Sequence, residues 1–265
     1  MVPSASSAAF LGLFILASAM SAGASAPPGM ARLPAGEVTL PFLRDSSETR
    51  VPVPAFWLDK RAVTPSEFLD FVRRNPSYTR SRISRLFADE GYLRHWRGDL
   101  QPHPRSLNAP VTGVSWHAAK AFCADRGKRL PTTAEWERAA ATREAGDTDV
   151  DGAARERAIL SWYSRSTQEE PPATGSGTRH AFGIRDLHAV IWEWTSDFNA
   201  WTPSGVNKRG VSEDGLFCGG GAAGMAPNTP YATFMRWGFR GSLKADYTLG
   251  TLGFRCARDD SPTGD

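Results

Sequence analysis

Glycine and proline punctuate this chain so evenly that long uninterrupted elements have little room to form. The 25 glycines and 19 prolines of its 265 residues are scattered rather than clustered. Proline fixes φ and removes a backbone donor, while glycine loses the most conformational freedom on ordering. Long stretches between them show no helical period, which predicts a loop-rich fold with few helices. Such a fold hides apolar surface by other means, and 9 Trp and 14 Phe supply it. They sit in short segments such as Phe56-Trp57-Leu58, Trp192-Glu193-Trp194 and Phe234-Met235-Arg236-Trp237. Large rings bury much area per residue, which suits a domain poor in regular structure.

Three helices carry local signals. Thr64-Pro65-Ser66-Glu67 offers a capping hydroxyl, a proline at the first helical position and a glutamate returning to the cap, followed by Phe68, Leu69, Phe71 and Val72 as an apolar face. A second helix is predicted from Ser115 to Gly127, with Trp116, Ala119, Phe122 and Cys123 on its inner side. A third starts at Thr132 or Thr133, where Thr132 and Glu135 stand at capping-box spacing, and runs through Trp136 to about Ala140. Linkers are expected at Gln101 to Asn108 and at Ala145 to Arg157. The latter imitates a calcium loop through Asp147, Asp149 and Asp151, but its twelfth position is Ala158, where a bidentate glutamate is needed.

The 31 basic and 28 acidic residues are spread along the whole chain, which excludes a nucleic-acid footprint. At 41% hydrophobic and 22% charged, the chain has globular rather than disordered composition. The N-terminus reads differently. Ala8 to Met20 is apolar, short for a bilayer span, and is followed by Ala24-Ser25-Ala26. Residues 1–26 are therefore expected to be a secretory signal peptide, with an uncleaved anchor as the alternative. Export predicts a periplasmic or secreted protein with no stable membrane span after cleavage, and places Cys123, Cys218 and Cys256 in an oxidising compartment. One disulfide and one free thiol is the simplest outcome. The histidines His95, His103, His117, His180 and His188 show no metal-ligand spacing.

Four segments in order carry a family resemblance. They are Phe56-Trp57-Leu58-Asp59-Lys60 leading into Val63-Thr64-Pro65-Ser66-Glu67-Phe68; Pro110 through Ser115-Trp116 and Gly127-Lys128-Arg129-Leu130-Pro131-Thr132 to Glu135-Trp136-Glu137; Phe182-Gly183-Ile184 through Trp192-Glu193-Trp194-Thr195-Ser196-Asp197; and Leu252-Gly253-Phe254-Arg255-Cys256-Ala257. Together they resemble the formylglycine-generating enzyme, or sulfatase-modifying factor, family over residues 33–258. The resemblance implies one α+β domain of C-type-lectin-like fold, low in regular structure. It also implies a disulfide between Cys123 and Cys256, and a structural Ca²⁺ held by the side chains of Asp186 and Glu193 with the carbonyls of Ala189 and Ile191. Oxygen ligands of that kind suit Ca²⁺.

Catalysis in that family uses two copper(I)-binding cysteines. Counting back from Leu252 through Arg240, their positions fall on Pro227 and Ala232, neither of which offers a thiolate, so copper and formylglycine generation are not expected. Cys218 remains a candidate catalytic thiol. Trp192, Arg236, Trp237, Arg240 and Ser242 are expected to line a ligand-binding groove that takes a peptide-like or carboxylate-bearing ligand by stacking and a guanidinium fork, the alternative for Trp192 and Arg240 being that both trade contacts inside the core. Three functions compete. The first is an exported accessory or maturation protein acting on another exported protein or a secreted small molecule. The second is a non-catalytic binding module of the same fold. The third is a formylglycine generator with rearranged cysteines.

Overall fold

A computed structural model of the chain describes residues 26–44, 47–143, 152–164, 171–188, 190–199 and 229–260. Apart from Ala26, the expected signal segment lies outside the described residues, and so do the three aspartates of the calcium-loop imitation. No helix among the described residues is long and apolar enough to cross a membrane.

The first two helices form where the capping signals place them. Helix α1, Pro65–Arg74, opens on a complete capping box: Thr64 accepts from the Glu67 backbone N–H while the Glu67 carboxylate accepts from that of Thr64. Helix α2, Trp116–Asp125, is capped by the Ser115 hydroxyl and stops before Gly127, whose φ of +63° lies in the left-handed region that glycine adopts without strain. Both helices turn aromatic faces inward. The rings of Phe68 and Phe122 stack at 5.7 Å between centroids, and Phe254 meets Phe122 edge-on at 5.1 Å. This cluster, closed by Trp96 and Trp194, is the larger of the two main cores.

A three-stranded antiparallel sheet holds the chain ends together. Its centre is β4 (Phe56–Asp59), flanked by β1 (Met30–Leu33) and β7 (Ala257–Asp259). Phe56 and Leu58 alternate inward along β4, as period-two patterning requires of a half-buried strand. Between β1 and β4 lies a hairpin of β2 (Gly36–Arg44) and β3 (Ser47–Val53), with a register shift between Leu40 and Leu43. Strands β5 (Trp192–Glu193) and β6 (Leu252–Gly253) pair in parallel and bring two of the sequence segments side by side. Cys123 on α2 is bonded to Cys256, 133 residues away, and both are fully buried.

Three more helices frame the second core. Helix α3, Thr133–Ala141, opens on the second capping box and packs Trp136, Ala139 and Ala140 with the hairpin residues Val38, Leu40 and Val53. Helix α4, Gly152–Tyr163, corrects the linker expected over Ala145 to Arg157, because residues 152–157 are helical. Helix α5, Tyr231–Gly241, was not anticipated at all. Ala232, Arg236 and Arg240 recur every fourth residue on its buried face, a helical period hidden because two of the three carry charge. Helix, strand and loop are thus mixed in one α+β domain.

Candidate functional site

Helix α3 points Glu137 inward, where an isolated carboxylate would be costly to bury, and α5 supplies its partners. Arg236 grips Glu137 with two prongs, Nε to Oε1 at 2.8 Å and Nη2 to Oε2 at 2.7 Å. Arg240 adds a third contact through Nη1, and its guanidinium lies 4.6 Å from the centre of the Trp136 ring. All three residues are at least nine-tenths buried. Burial alone would raise the Glu137 carboxyl, but Arg236 and then Arg240 outweigh it and hold it down at about 2. The two arginines respond oppositely for a geometric reason. The two-pronged contact outweighs burial and raises Arg236, whereas burial prevails over the single contact of Arg240 and lowers it, with Arg236 adding repulsion.

The arginines expected in the groove are therefore engaged with Glu137, although Arg236 and Trp237 also line the cleft described below. Arg236 and Arg240 do come together, but on Glu137. Trp192 is stacked between Tyr163 at 4.6 Å and Phe239 at 4.3 Å, so both of its faces are occupied from within the protein. Trp237 packs into the second core, and the Ser242 hydroxyl donates to the Phe239 carbonyl at the end of α5. Cys218, the candidate thiol, lies outside the described residues, as does Pro227.

The open space lies on the other side of Arg236. A cleft of about 540 Å³ runs between the β2 edge, α3, α4 and the start of α5. Ala232 stands in its wall, buried, donating its N–H to Glu156 and accepting from the Tyr163 hydroxyl. Glu137 and His188 were overlooked as lining residues. The only signal for Glu137 was its place one turn behind the capping box, and for His188 its place two residues after Asp186. His188 also packs against His180 at 5.8 Å between ring centroids, a neighbour that sequence spacing did not suggest.

The side chains expected to hold calcium are engaged by the protein itself. Both oxygens of Glu193 are taken: Arg255 donates from Nε at 2.8 Å and Nη2 at 2.7 Å, and the Trp136 indole N–H donates at 2.8 Å. Asp186 accepts from the backbone N–H groups of Gly175 and Gly177. Ala189 lies outside the described residues, and no group of three or more His, Cys, Asp or Glu side chains that could hold a metal is gathered among those described. The chemistry of the copper positions is equally plain, since a methyl group at Ala232 cannot replace a thiolate. The described cysteines, Cys123 and Cys256, are committed to each other.

The family described as "Sulfatase-modifying factor enzyme 1-like domain" matches residues 17–260. The chain is 28% identical to the formylglycine-generating enzyme of Streptomyces coelicolor, over 92% of this chain and 94% of that one. It is 29% identical to mouse "Inactive C-alpha-formylglycine-generating enzyme 2", over 89% of this chain and 87% of that one. Among solved structures, PvdO from Pseudomonas aeruginosa is similar with a TM-score of 0.47 at 17% identity, over 87% of this chain and 94% of that one.

Proposed function

Because the chain belongs to the sulfatase-modifying factor enzyme 1-like family, we propose that it is an exported accessory or maturation protein of that family, working on another exported protein or a secreted small molecule without copper–cysteine chemistry. The observation that carries this reading is Ala232. It stands buried in the cleft wall where the family resemblance places a copper-binding cysteine. Copper(I) is held by soft thiolates, and the hydrocarbon side chain there supplies none. Export rests on the apolar stretch and small-residue triplet that precede residue 27.

Co-expression with a peptide containing Cys-x-Pro-x-Arg, followed by mass spectrometry, tests the chemistry. The peptide cysteine is expected to stay unconverted even with copper and oxygen supplied, and formylglycine in the peptide would overturn the reading. N-terminal sequencing of the mature protein tests export: a chain recovered from the periplasm should begin near Pro27, and one that starts at Met1 in the cytoplasm contradicts it.

A second reading, a non-catalytic binding module, is favoured by the way the arginines are used. Arg236 and Arg240 are spent on Glu137, so these three charged groups beside the cleft hold structure. A partner bound stably and released unchanged would favour that reading over a maturation activity.

A further inference from the structure

The 540 Å³ cleft has the size of a small-molecule site. Its walls are largely apolar, with Val38 and Leu40 from β2, Ile159 from α4, and Ala232 and Trp237 from α5. The ionised groups along it are Glu137, Glu156 and Arg236, with Arg240 behind Glu137. Both guanidiniums pair with Glu137, while Glu156 accepts from the Ala232 N–H; with Arg240 behind the wall counted in, these four charges cancel.

One polar group in this wall is not used by the protein. His188 is nine-tenths buried and lines the cleft, but its ring meets the protein through ring contacts, edge-on to Trp136 at 5.5 Å and tilted against His180 at 5.8 Å. Neither ring nitrogen hydrogen-bonds to any described residue. Neither nitrogen is sealed off from solvent, so a molecule bound in the cleft reaches them without breaking a contact of the protein.

We propose that His188 is the polar anchor of a binding site in this cleft for an uncharged, mainly apolar molecule carrying a hydroxyl group. The apolar walls take the body of the ligand and the imidazole pairs with its hydroxyl. A neutral imidazole offers one acceptor and one donor, so either sense of hydrogen bond to an O–H satisfies it. The ring is in that neutral form because burial first, then Arg236 and His180, push its pKa well below the ordinary histidine value, against the opposing pull of Glu137. This inference rests on the proposed function in taking the cleft beside Ala232 to be free of copper–cysteine chemistry, and the two fail separately: formylglycine formation sinks that reading, while the outcomes below decide the ligand class.

The test compares 2-naphthol with naphthalene by titration calorimetry on the full mature chain. Burial alone favours naphthalene, the more apolar of the two. The expected result is tighter binding of 2-naphthol, a loss of about five- to tenfold in His188→Phe, and a change for naphthalene within about twofold. Equal losses for both probes, an unchanged 2-naphthol affinity in His188→Phe, or no binding of 2-naphthol to the native protein would overturn the proposal. Should His188→Phe fail to fold, the ring-nitrogen NMR resonances of His188 in the native protein decide. They should move far more on adding 2-naphthol than on adding naphthalene, and resonances indifferent to 2-naphthol, or shifted equally by both, reject the site.

Discussion

Arg255 and Glu193 form a two-pronged ion pair in which the arginine side chain is 0% and the glutamate 1% exposed. Two further guanidinium hydrogens go to the carbonyls of Asp59 and Arg185, so one residue ties β4, the turn before β5 and the terminal segment together. Removing one partner strands the other charge in the core. Arg255→Leu should therefore lose about 3–5 kcal/mol in urea unfolding, and Arg255→Leu with Glu193→Leu should recover part of that loss. Because Glu193 is satisfied from within, a chelator should leave the unfolding midpoint unchanged.

The Glu137 triad makes stability depend on pH in a defined direction. The carboxyl titrates at about 2 in the folded protein, below the roughly 4.3 of an exposed glutamate. A depressed acid stabilises the fold fully above the unfolded value, and the contribution drains away as pH falls from about 4.3 toward about 2. Melting temperature measured across that window should drop steeply for the native chain. Glu137→Gln should start lower and show a shallower acid limb, with a difference on the order of 2–3 kcal/mol at neutral pH.

The Cys123–Cys256 bond closes a loop between positions 133 residues apart. Cross-linking so distant a pair restricts the unfolded chain strongly. Cys123→Ser combined with Cys256→Ser should destabilise the protein by about 2–5 kcal/mol. Chemical denaturation of the native chain with and without a reductant should show a loss of the same size, which the double variant no longer shows.

Gly253 in β6 tolerates no side chain. A Cβ there would lie 2.2 Å from the Val111 carbonyl oxygen and 2.8 Å from Ile191 Cδ1. The first clash is with backbone and cannot be relieved by turning a side chain. Gly253→Ala should cost at least about 2 kcal/mol by urea unfolding, with partial loss of the buried Trp194 fluorescence signature. Gly250→Ala, where nothing lies within 4 Å of the added atom, serves as the neutral control.

Legibility followed how local each signal was. The helices that begin at Thr64, Ser115 and Thr132 were readable because a cap is a matter of three or four consecutive residues. Helix α5 was not, since its buried face is carried by Arg236 and Arg240, which by themselves read as surface or groove residues. The same residues explain what the sequence left open in the site. An arginine beside a ligand and an arginine paired with a buried carboxylate look alike in a sequence, and only Glu137, 99 residues from Arg236, separates the two cases.

Residue chemistry by itself determined that this chain has no thiolate at position 232, that it builds from capped short helices and aromatic segments, and that its motifs follow one family's order. Tertiary structure alone decided which charges neutralise each other and which polar group is left over. Glu193 met Arg255, Glu137 met Arg236 and Arg240, and His188 met only the rings of Trp136 and His180. Pairing energies depend on distance and burial, and neither exists until remote segments have packed.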